Sequence, residues 1–324
     1  MEVIENGLAE LFLTPNPDAD REWMRKNKSM ALKNKVMSEQ EAVARFINDG
    51  DYLGTELYGT VRCSMSLTRE IIRQGKKHFR VAGQGVMEVD LLIAAGLIDK
   101  LDLTYLGYEV YGLSNVLRRA AQSGQIKITE WSNASLAWRL KAAALGVPFL
   151  PVRTMMGTDT FKYSAAKIVK CPFTGEKLCL LPATMLDVGI IHVHRADIYG
   201  NCQIDGISGF AFELARASKK LIITTEEIID TEEIRKYPEK TIIPFYLVDA
   251  VVEAPYGSHP GEMAYLYWRD EEHLKEYLNL SKTKEGTDEY LQKYIYNVKN
   301  HDEYIELIGG FKKLNALKKM IKGR

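Results

Sequence analysis

The sequence of 324 residues is short of the features that mark secreted, membrane-spanning and zinc-binding proteins. Its four dispersed cysteines fit neither a disulfide framework nor a paired CxxC zinc site, so we expect free thiols at Cys63, Cys171, Cys179 and Cys202. No apolar run reaches the roughly 18 to 20 residues that a membrane-spanning helix needs. The first 20 residues contain three glutamates and lack the basic start of a signal peptide. We therefore expect a cytoplasmic protein with no membrane partner.

Net charge is absent as well. The 43 basic and 43 acidic residues give a formal net charge of +0, so there is no electrostatic reason to expect nucleic acid or an anionic membrane as a partner. A neutral chain does little to oppose self-association, and we therefore expect an oligomer.

Two common catalytic signatures are missing. Gly83-Gln84-Gly85 follows an apolar run, but no third glycine stands at the spacing of a dinucleotide site, and no P-loop lysine is present. The tight turn at these glycines can still offer free N–H groups to an anion. The sequence also lacks a G-x-S-x-G elbow, which disfavours a serine hydrolase.

What the sequence does contain is a regular alternation of apolar strands and amphipathic helices. The first set has predicted strands at 52–58, 78–82, 101–106 and 126–130 and predicted helices at 67–74, 89–95, 113–122 and 135–144. A second set runs from 187 to 254. Strict alternation implies right-handed crossovers between parallel strands. It predicts the α/β class, with an open, mainly parallel sheet flanked by helices.

The alternation also suggests a domain organisation. We interpret residues 1–36 as an N-terminal extension, helical after Pro17 and lying on a partner or a neighbour. Residues 37–324 form one α/β domain with a helical C-terminal tail. Residues 159–182 break the rhythm and are expected to form a polar excursion or small hairpin, the kind of segment from which such folds build sites.

Polar side chains at predicted strand ends are the first candidates for chemistry. Glu56 and Glu109 can act as nucleophile or general base if burial tunes them, or they can be solvated or arginine-paired carboxylates. Gly157 and Thr158 form a turn, expected at the sheet's carboxyl edge, that can offer consecutive N–H donors to an oxyanion. Residues 255–261 form either a rigid ligand-binding loop or a sharp turn.

A pair of histidines leaves two interpretations open. His192 and His194 lie on the same side of a predicted strand, and Asp197 follows three residues later. This spacing is compatible with a metal, but no second cluster completes a ligand shell. The alternative is a pair of strand-end histidines bonded to backbone.

Many separate blocks in the same order resemble the alpha chains of family I CoA-transferases, and within that family the glutaconate type. The likeness runs from about residue 37 to about residue 310. The blocks that carry it are Arg62, 70–74, 90–93, 142–152, 190–192, 226–229, 232–235, 248–252, 254–260 and 301–304.

The resemblance implies a two-chain enzyme that needs no permanently bound cofactor or metal and takes a coenzyme A thioester as substrate. The thioester is attacked by a glutamate of the beta subunit, and CoA then passes to a second small acid, with dicarboxylic acids among the options. The alpha subunit lines the acyl pocket, in an assembly of a heterotetramer or larger. The substrate-binding residues expected here are Arg62, Ser132, Asn133, Met156, Gly157 and Thr158.

Two departures from the family pattern keep other activities open, and a third comparison, at residues 132–135, disfavours the hydrolases. Glu56-Leu57-Tyr58 replaces a Gly-Gly-Phe sequence, and Ser64 replaces a proline. Related ring-opening hydrolases have an acidic residue where residues 132–135 are uncharged here, and the amide of Asn133 cannot act as a base. The alternatives are therefore a hydrolase or decarboxylase of the same fold that uses Glu56 or Glu109, and a non-catalytic acyl-CoA-binding partner.

Overall fold

A computed structural model describes residues 2–56, 59–84 and 86–322. The strands are β1 (Val3–Asn6), β2 (Tyr52–Thr55), β3 (Phe79–Gly83), β4 (Ile98–Leu103), β5 (Lys127–Glu130), β6 (Phe149–Val152), β7 (Lys167–Lys170), β8 (Lys177–Pro182), β9 (Leu186–Ala196), β10 (Cys202–Gln203), β11 (Ser218–Ile228), β12 (Thr241–Ile243) and β13 (Ala250–Glu253).

The helices alternate with these strands over most of the chain. They are α1 (Pro17–Asn27), α2 (Glu39–Phe46), α3 (Met65–Arg73), α4 (Val86–Ala94), α5 (Asn115–Ser123), α6 (Asn133–Leu145), α7 (Asp159–Lys162), α8 (Ala211–Arg216), α9 (Thr231–Lys236), α10 (Glu271–Leu280), α11 (Lys284–Leu291), α12 (His301–Leu307) and α13 (Gly310–Lys322).

The central sheet is parallel across its main body, which confirms the predicted fold class. Its parallel strands lie in the order β5-β4-β3-β2-β9-β11-β13. The short strands β10 and β12 add an antiparallel flap beside the C-terminal end of β9. Because every strand of the main body runs the same way, their C-terminal ends meet at one edge of the sheet.

Local sequence signals set most of the helix ends. Ser38 caps α2 by accepting a hydrogen bond from the Glu41 N–H at 3.1 Å. Gly124 and Gly146 end α5 and α6 with φ values of 70° and 69°, a left-handed conformation that favours glycine. The predicted strand at 52–58 ends earlier than expected, at Thr55, while Leu57 and Tyr58 lie outside the described residues.

A second, antiparallel sheet lies beside the parallel one, in the order β1-β7-β8-β6. The expected excursion at 159–182 supplies β7 and β8 and includes the hairpin between them. The N-terminal segment is helical after Asn16, as expected, and packs on its own chain, because β1 pairs with β7. Lys28 also binds the carbonyl oxygen of Leu247 at 2.6 Å and the carboxylate of Asp249.

Two hydrophobic clusters form the core, and one buried carboxylate ties the C-terminal tail to the first of them. Asp90 of α4 accepts hydrogen bonds from the hydroxyls of Tyr108 at 2.8 Å, Tyr277 at 2.6 Å and Ser114. All four residues are buried, and Tyr277 belongs to α10 of the tail. The four cysteines are free, as predicted. In the described part of the chain, no helix has the length and apolar character that crossing a membrane requires.

We predict that Tyr277→Phe lowers the free energy of unfolding by about 1–3 kcal/mol, because it removes a hydrogen bond to a buried carboxyl group. Urea unfolding measures the change. Tyr296→Phe, at an exposed tyrosine of the same tail, is the matched control and should change stability little. Equal losses in the two variants would contradict the anchoring role of Asp90.

Candidate active site

The polar groups that follow or end the parallel strands lie along one edge of the sheet. Glu56 follows β2, Gln84 follows β3 and Ser132 comes two residues after β5, while His192 and Thr224 lie in the C-terminal halves of β9 and β11. This is the edge at which parallel α/β sheets bind ligands. The edge therefore collects several residues that the sequence singled out separately.

Glu56 and Arg62 form a buried ion pair at the middle of this edge. The Arg62 Nη2 lies 3.0 Å from Oε1 and 2.7 Å from Oε2 of Glu56, and Arg62 and Glu56 are 1% and 3% exposed. Arg62 also donates to the carbonyl oxygens of His192 at 2.9 Å and Ser208 at 3.2 Å. Its backbone φ of 51° is a left-handed conformation that costs energy in a residue with a side chain. The site therefore holds Arg62 in place at some cost.

Burial raises the pKa of Glu56, and the guanidinium of Arg62 opposes that rise. The backbone N–H groups of Phe210 and Ala211 act in the same direction as Arg62, because they favour the charged carboxylate. Of the two interpretations open for Glu56, the structure favours the arginine-paired carboxylate. The carboxylate is enclosed rather than presented to a substrate.

A second buried network lies next to the pair. His192 contacts the Thr224 hydroxyl through Nδ1 and the Glu226 carboxylate through Nε2, both at 2.8 Å. Glu226 accepts further hydrogen bonds from the Tyr267 hydroxyl at 2.5 Å and the Tyr256 N–H at 2.7 Å. The loop at 255–261 thus joins this network through the hydrogen bond from the Tyr256 N–H to Glu226. Its observed contacts are those of a turn that shapes this edge.

His194 and Asp197 do not join His192 in one ligand set. The ring of His194 contacts the Ala264 carbonyl oxygen at 2.8 Å and the Asp205 N–H at 3.1 Å, which matches the backbone-bonded interpretation. Asp197 accepts hydrogen bonds from the turn that follows it, including the Asn201 N–H at 2.9 Å. Both residues therefore stabilise local backbone.

Another group within the described ranges has the spacing of metal ligands: His259, Asp270 and His273, whose ligand atoms lie within 4.8 Å of one another. A hydroxyl contacts each ring, since Tyr304 lies 2.8 Å from His259 Nδ1 and Tyr290 lies 2.8 Å from His273 Nε2. The Lys313 ammonium lies 3.2 Å from Asp270 and occupies the place of a cation there. This cluster fits tail packing better than metal binding.

Glu88 is a site residue that the sequence interpretation missed. It lies in the first turn of α4, fully buried, and its Oε1 accepts the Ser64 N–H at 2.8 Å. Its Oε2 has no hydrogen-bond partner among the described residues. Burial raises the pKa of Glu88 to about 7. An acidic residue between Met87 and Val89, directly after a glycine turn, was the available signal.

Ser132 and Asn133 lie at the start of α6, beside an open cavity of about 600 Å³. Ser132 caps the helix by accepting the Ser135 N–H at 3.1 Å, and the carbonyl oxygen of Asn133 accepts the side-chain amide of Gln84 at 2.5 Å. The cavity is lined by Leu103, Thr104, Tyr105, Glu130, Trp131, Ser132, Asn133, Ala134 and Thr160. Burial, with the charge of Asp159 as a smaller cause, raises the pKa of Glu130.

The remaining predicted residues are placed differently. Met156, Gly157 and Thr158 follow β6, which belongs to the antiparallel sheet and not to the parallel sheet as expected, and Thr160, two residues later, lines the cavity beside Ser132. The Thr158 N–H is already donated to the Met155 carbonyl oxygen at 3.1 Å, and the Thr158 hydroxyl caps α7. Glu109 is exposed, in a short 3₁₀ turn.

We predict that Glu88 makes the protein less stable as pH rises. Its pKa is about 7 in the folded chain against 4.5 for an ordinary glutamate, so the folded state holds a proton that the unfolded state has lost. Stability is full below pH 4.5 and falls by up to about 3 kcal/mol as pH passes through 7. Glu88→Gln should flatten this dependence in denaturant unfolding between pH 5 and 8. The exposed Glu232→Gln should leave it unchanged, and a wild-type-like slope in Glu88→Gln would count against the assignment.

The chain is similar to known proteins over most of its length. Residues 36–254 match the family described as Coenzyme A transferase. An uncharacterized protein of Archaeoglobus fulgidus is 51% identical over 323 residues, 99% of this chain and 72% of that protein. The glutaconate CoA-transferase of Acidaminococcus fermentans has an alpha-type chain that is 34% identical over 308 residues, 87% of this chain and 94% of that one.

Solved structures agree with the sequence comparison. The crystal structure of the Acidaminococcus fermentans glutaconate coenzyme A-transferase matches with a TM-score of 0.85 and 33% identity, over 88% of this chain and 95% of that one. The decarboxylase AibA/AibB matches with a TM-score of 0.69 and 30% identity, over 80% of this chain and 98% of that one. The chain therefore belongs to the coenzyme A transferase family and is similar to its alpha-type chains, as the resemblance predicted.

Proposed function

We propose that this chain is the alpha subunit of a heteromeric cytoplasmic CoA-transferase, which moves CoA between an acyl-CoA and a small carboxylic acid. One observation carries the proposal beyond family membership. The sheet edge has an open cavity with hydroxyl and amide groups for binding, while its central carboxylate, Glu56, is enclosed on Arg62. The binding groups lie in this chain, and the nucleophile comes from a beta subunit, in a heterotetramer or larger assembly.

The proposed chemistry proceeds by covalent catalysis. A carboxylate oxygen of the beta chain attacks the thioester carbonyl, the C–S bond breaks, and an acyl anhydride and CoA thiolate result. The thiolate then attacks the enzyme's own acyl carbon, which releases the first acid and leaves a glutamyl-CoA thioester. The second acid reverses these two steps and leaves as its CoA ester.

In this scheme the chain supplies binding and polarisation. Ser132 and Asn133 lie at the cavity and would contact the acyl group, with the Asn133 amide donating to the thioester oxygen as charge develops there. Met156, Gly157 and Thr158 would contribute to the pocket from the neighbouring sheet. Arg62 and Glu56 would hold the middle of the edge in shape.

A second candidate is acyl-CoA hydrolysis or decarboxylation by the same fold, and one observation favours it. Glu130 lines the cavity beside Ser132, and its raised pKa suits a carboxylate that exchanges a proton with substrate or water. A hydrolase or decarboxylase of this kind would consume acyl-CoA without a second acid.

We predict that the purified alpha–beta pair exchanges labelled acetate into acyl-CoA, while the alpha chain alone does not. Borohydride reduction or hydroxylamine treatment of the pair after exposure to acyl-CoA should mark a glutamate of the beta chain. Consumption of acyl-CoA by water alone, with no adduct trapped, would replace transfer by the second candidate. Full activity of the alpha chain alone would refute the two-chain arrangement.

We also predict that Asn133→Ala in the alpha–beta enzyme lowers kcat/KM about 10- to 100-fold. A loss of this size is expected when one hydrogen bond to an oxygen that gains charge is removed. Asn279→Ala, on the exposed face of α10, is the control and should keep the wild-type value. Steady-state kinetics measure both variants. Unchanged kinetics in Asn133→Ala would remove this residue from the acyl site.

A further inference from the structure

The environment of Glu56 has the composition of a carboxylate-binding site. A buried guanidinium contacts both carboxylate oxygens, and two backbone N–H groups favour the charged form. The guanidinium is itself oriented by carbonyl oxygens of His192 and Ser208, which leaves its Nη2 directed at the carboxylate. Charged, oriented donors of this kind are what proteins use to bind carboxylates of ligands.

In this chain the carboxylate bound at that site is the side chain of Glu56. A buried arginine requires an anionic partner, because an unpaired buried charge is strongly destabilising. Glu56 supplies that partner from six residues away, and its side chain is 1% exposed. The Nε of Arg62 has no hydrogen-bond partner among the described residues. Glu56 therefore neutralises the charge of Arg62 but does not satisfy all of its hydrogen-bond donors. A substrate carboxylate would have to displace Glu56 or share one guanidinium with it, which like-charge repulsion opposes.

The described lining of the cavity at this edge is likewise acidic rather than basic. Of the described residues that line the cavity at Ser132 and Asn133, none is lysine or arginine, and the ionisable carboxyl group there is that of Glu130. Glu88 lies close enough to Glu56 for the charge of Glu56 to raise the pKa of Glu88 further. In the described lining of this cavity, an acyl group that carries a second carboxylate therefore meets the carboxyl group of Glu130 and no lysine or arginine.

We propose that Glu56 is a built-in substitute for a substrate carboxylate and makes this site select acyl groups that carry no second carboxylate. The inference rests on the proposed function and narrows its substrate class to acyl-CoAs with uncharged acyl groups. Glu56 is a specificity-determining residue in this view, and its replacement by a residue without a side-chain carboxylate converts the site into one for dicarboxylic acyl groups.

The first test uses the full chain alone and needs no activity. In Glu56→Ala, sodium formate should raise Tm with a saturable dose dependence, because formate takes the place of the missing carboxylate beside Arg62. Sodium chloride at equal ionic strength, wild type and the exposed-pair variant Glu232→Ala are the controls, and none should show the saturable increase. The test requires only that Glu56→Ala has a measurable thermal unfolding transition. Formate effects of equal size in wild type and Glu56→Ala would overturn the carboxylate-site assignment.

The second test measures equilibrium binding and turnover by the alpha–beta pair with propionyl-CoA and succinyl-CoA. Wild type should prefer propionyl-CoA by about tenfold or more, since like charges brought together in a site oppose binding strongly. Glu56→Gly should shift the ratio toward succinyl-CoA by about tenfold or more. Glu70→Gln, which removes a carboxylate from the largely buried Arg73, is the matched control and should leave the ratio unchanged.

The outcomes distinguish failure of the selectivity proposal from failure of the proposed transferase function. Equal or better binding of succinyl-CoA by wild type overturns the selectivity proposal, whatever the reaction proves to be. Absence of CoA transfer with either substrate, while the binding preference and its reversal in Glu56→Gly persist, overturns the proposed transferase function and leaves the selectivity intact.

Discussion

The buried guanidinium of Arg62 is the group on which the candidate site depends. A charge withdrawn from water must be matched by acceptors, and those of Arg62 come from three segments: Glu56 after β2, His192 in β9 and Ser208 in the loop before α8. Its own N–H donates to the Glu262 carbonyl oxygen at 2.9 Å. Movement of any one segment would leave part of the charge unmatched. The sheet edge is therefore shaped before a substrate arrives.

The same requirement organises the chain away from this edge. Asp102 at the end of β4 contacts Arg139 of α6 at 3.0 Å and accepts the indole N–H of Trp131 at 2.6 Å, which joins strand, helix and cavity wall. Arg69 of α3 donates to the His259 carbonyl oxygen at 3.1 Å and lies over the ring of Tyr304. With Asp90, the contacts of Arg69 fix the tail helices to the α/β domain. Buried charge thus links elements that hydrophobic contact alone would allow to shift.

The alternation of strands and helices was predictable because it depends on local periodicity and caps. The antiparallel sheet was only partly visible, since pairing of β1 with β7 joins residues more than 160 positions apart and leaves no periodic signal. Glu56 was predictable as a strand-end carboxylate, and arginine pairing was one of its two interpretations. Glu88 was not found, because a raised pKa depends on burial, which only packing decides. The Gly157–Thr158 turn was assigned to the wrong sheet for the same reason.

The charges of the site also bear on the proposed two-chain enzyme. A nucleophilic carboxylate must be ionised, unpaired and within reach of a thioester carbon. Glu56 is held on Arg62, and Glu88 is enclosed with a pKa that favours its protonated form at mildly acidic pH. A reactive carboxylate added to the same edge of this chain would compete with Glu56 for Arg62. In the proposed two-chain enzyme the reactive carboxylate belongs to the partner, and the Glu56–Arg62 pair of this chain stays intact.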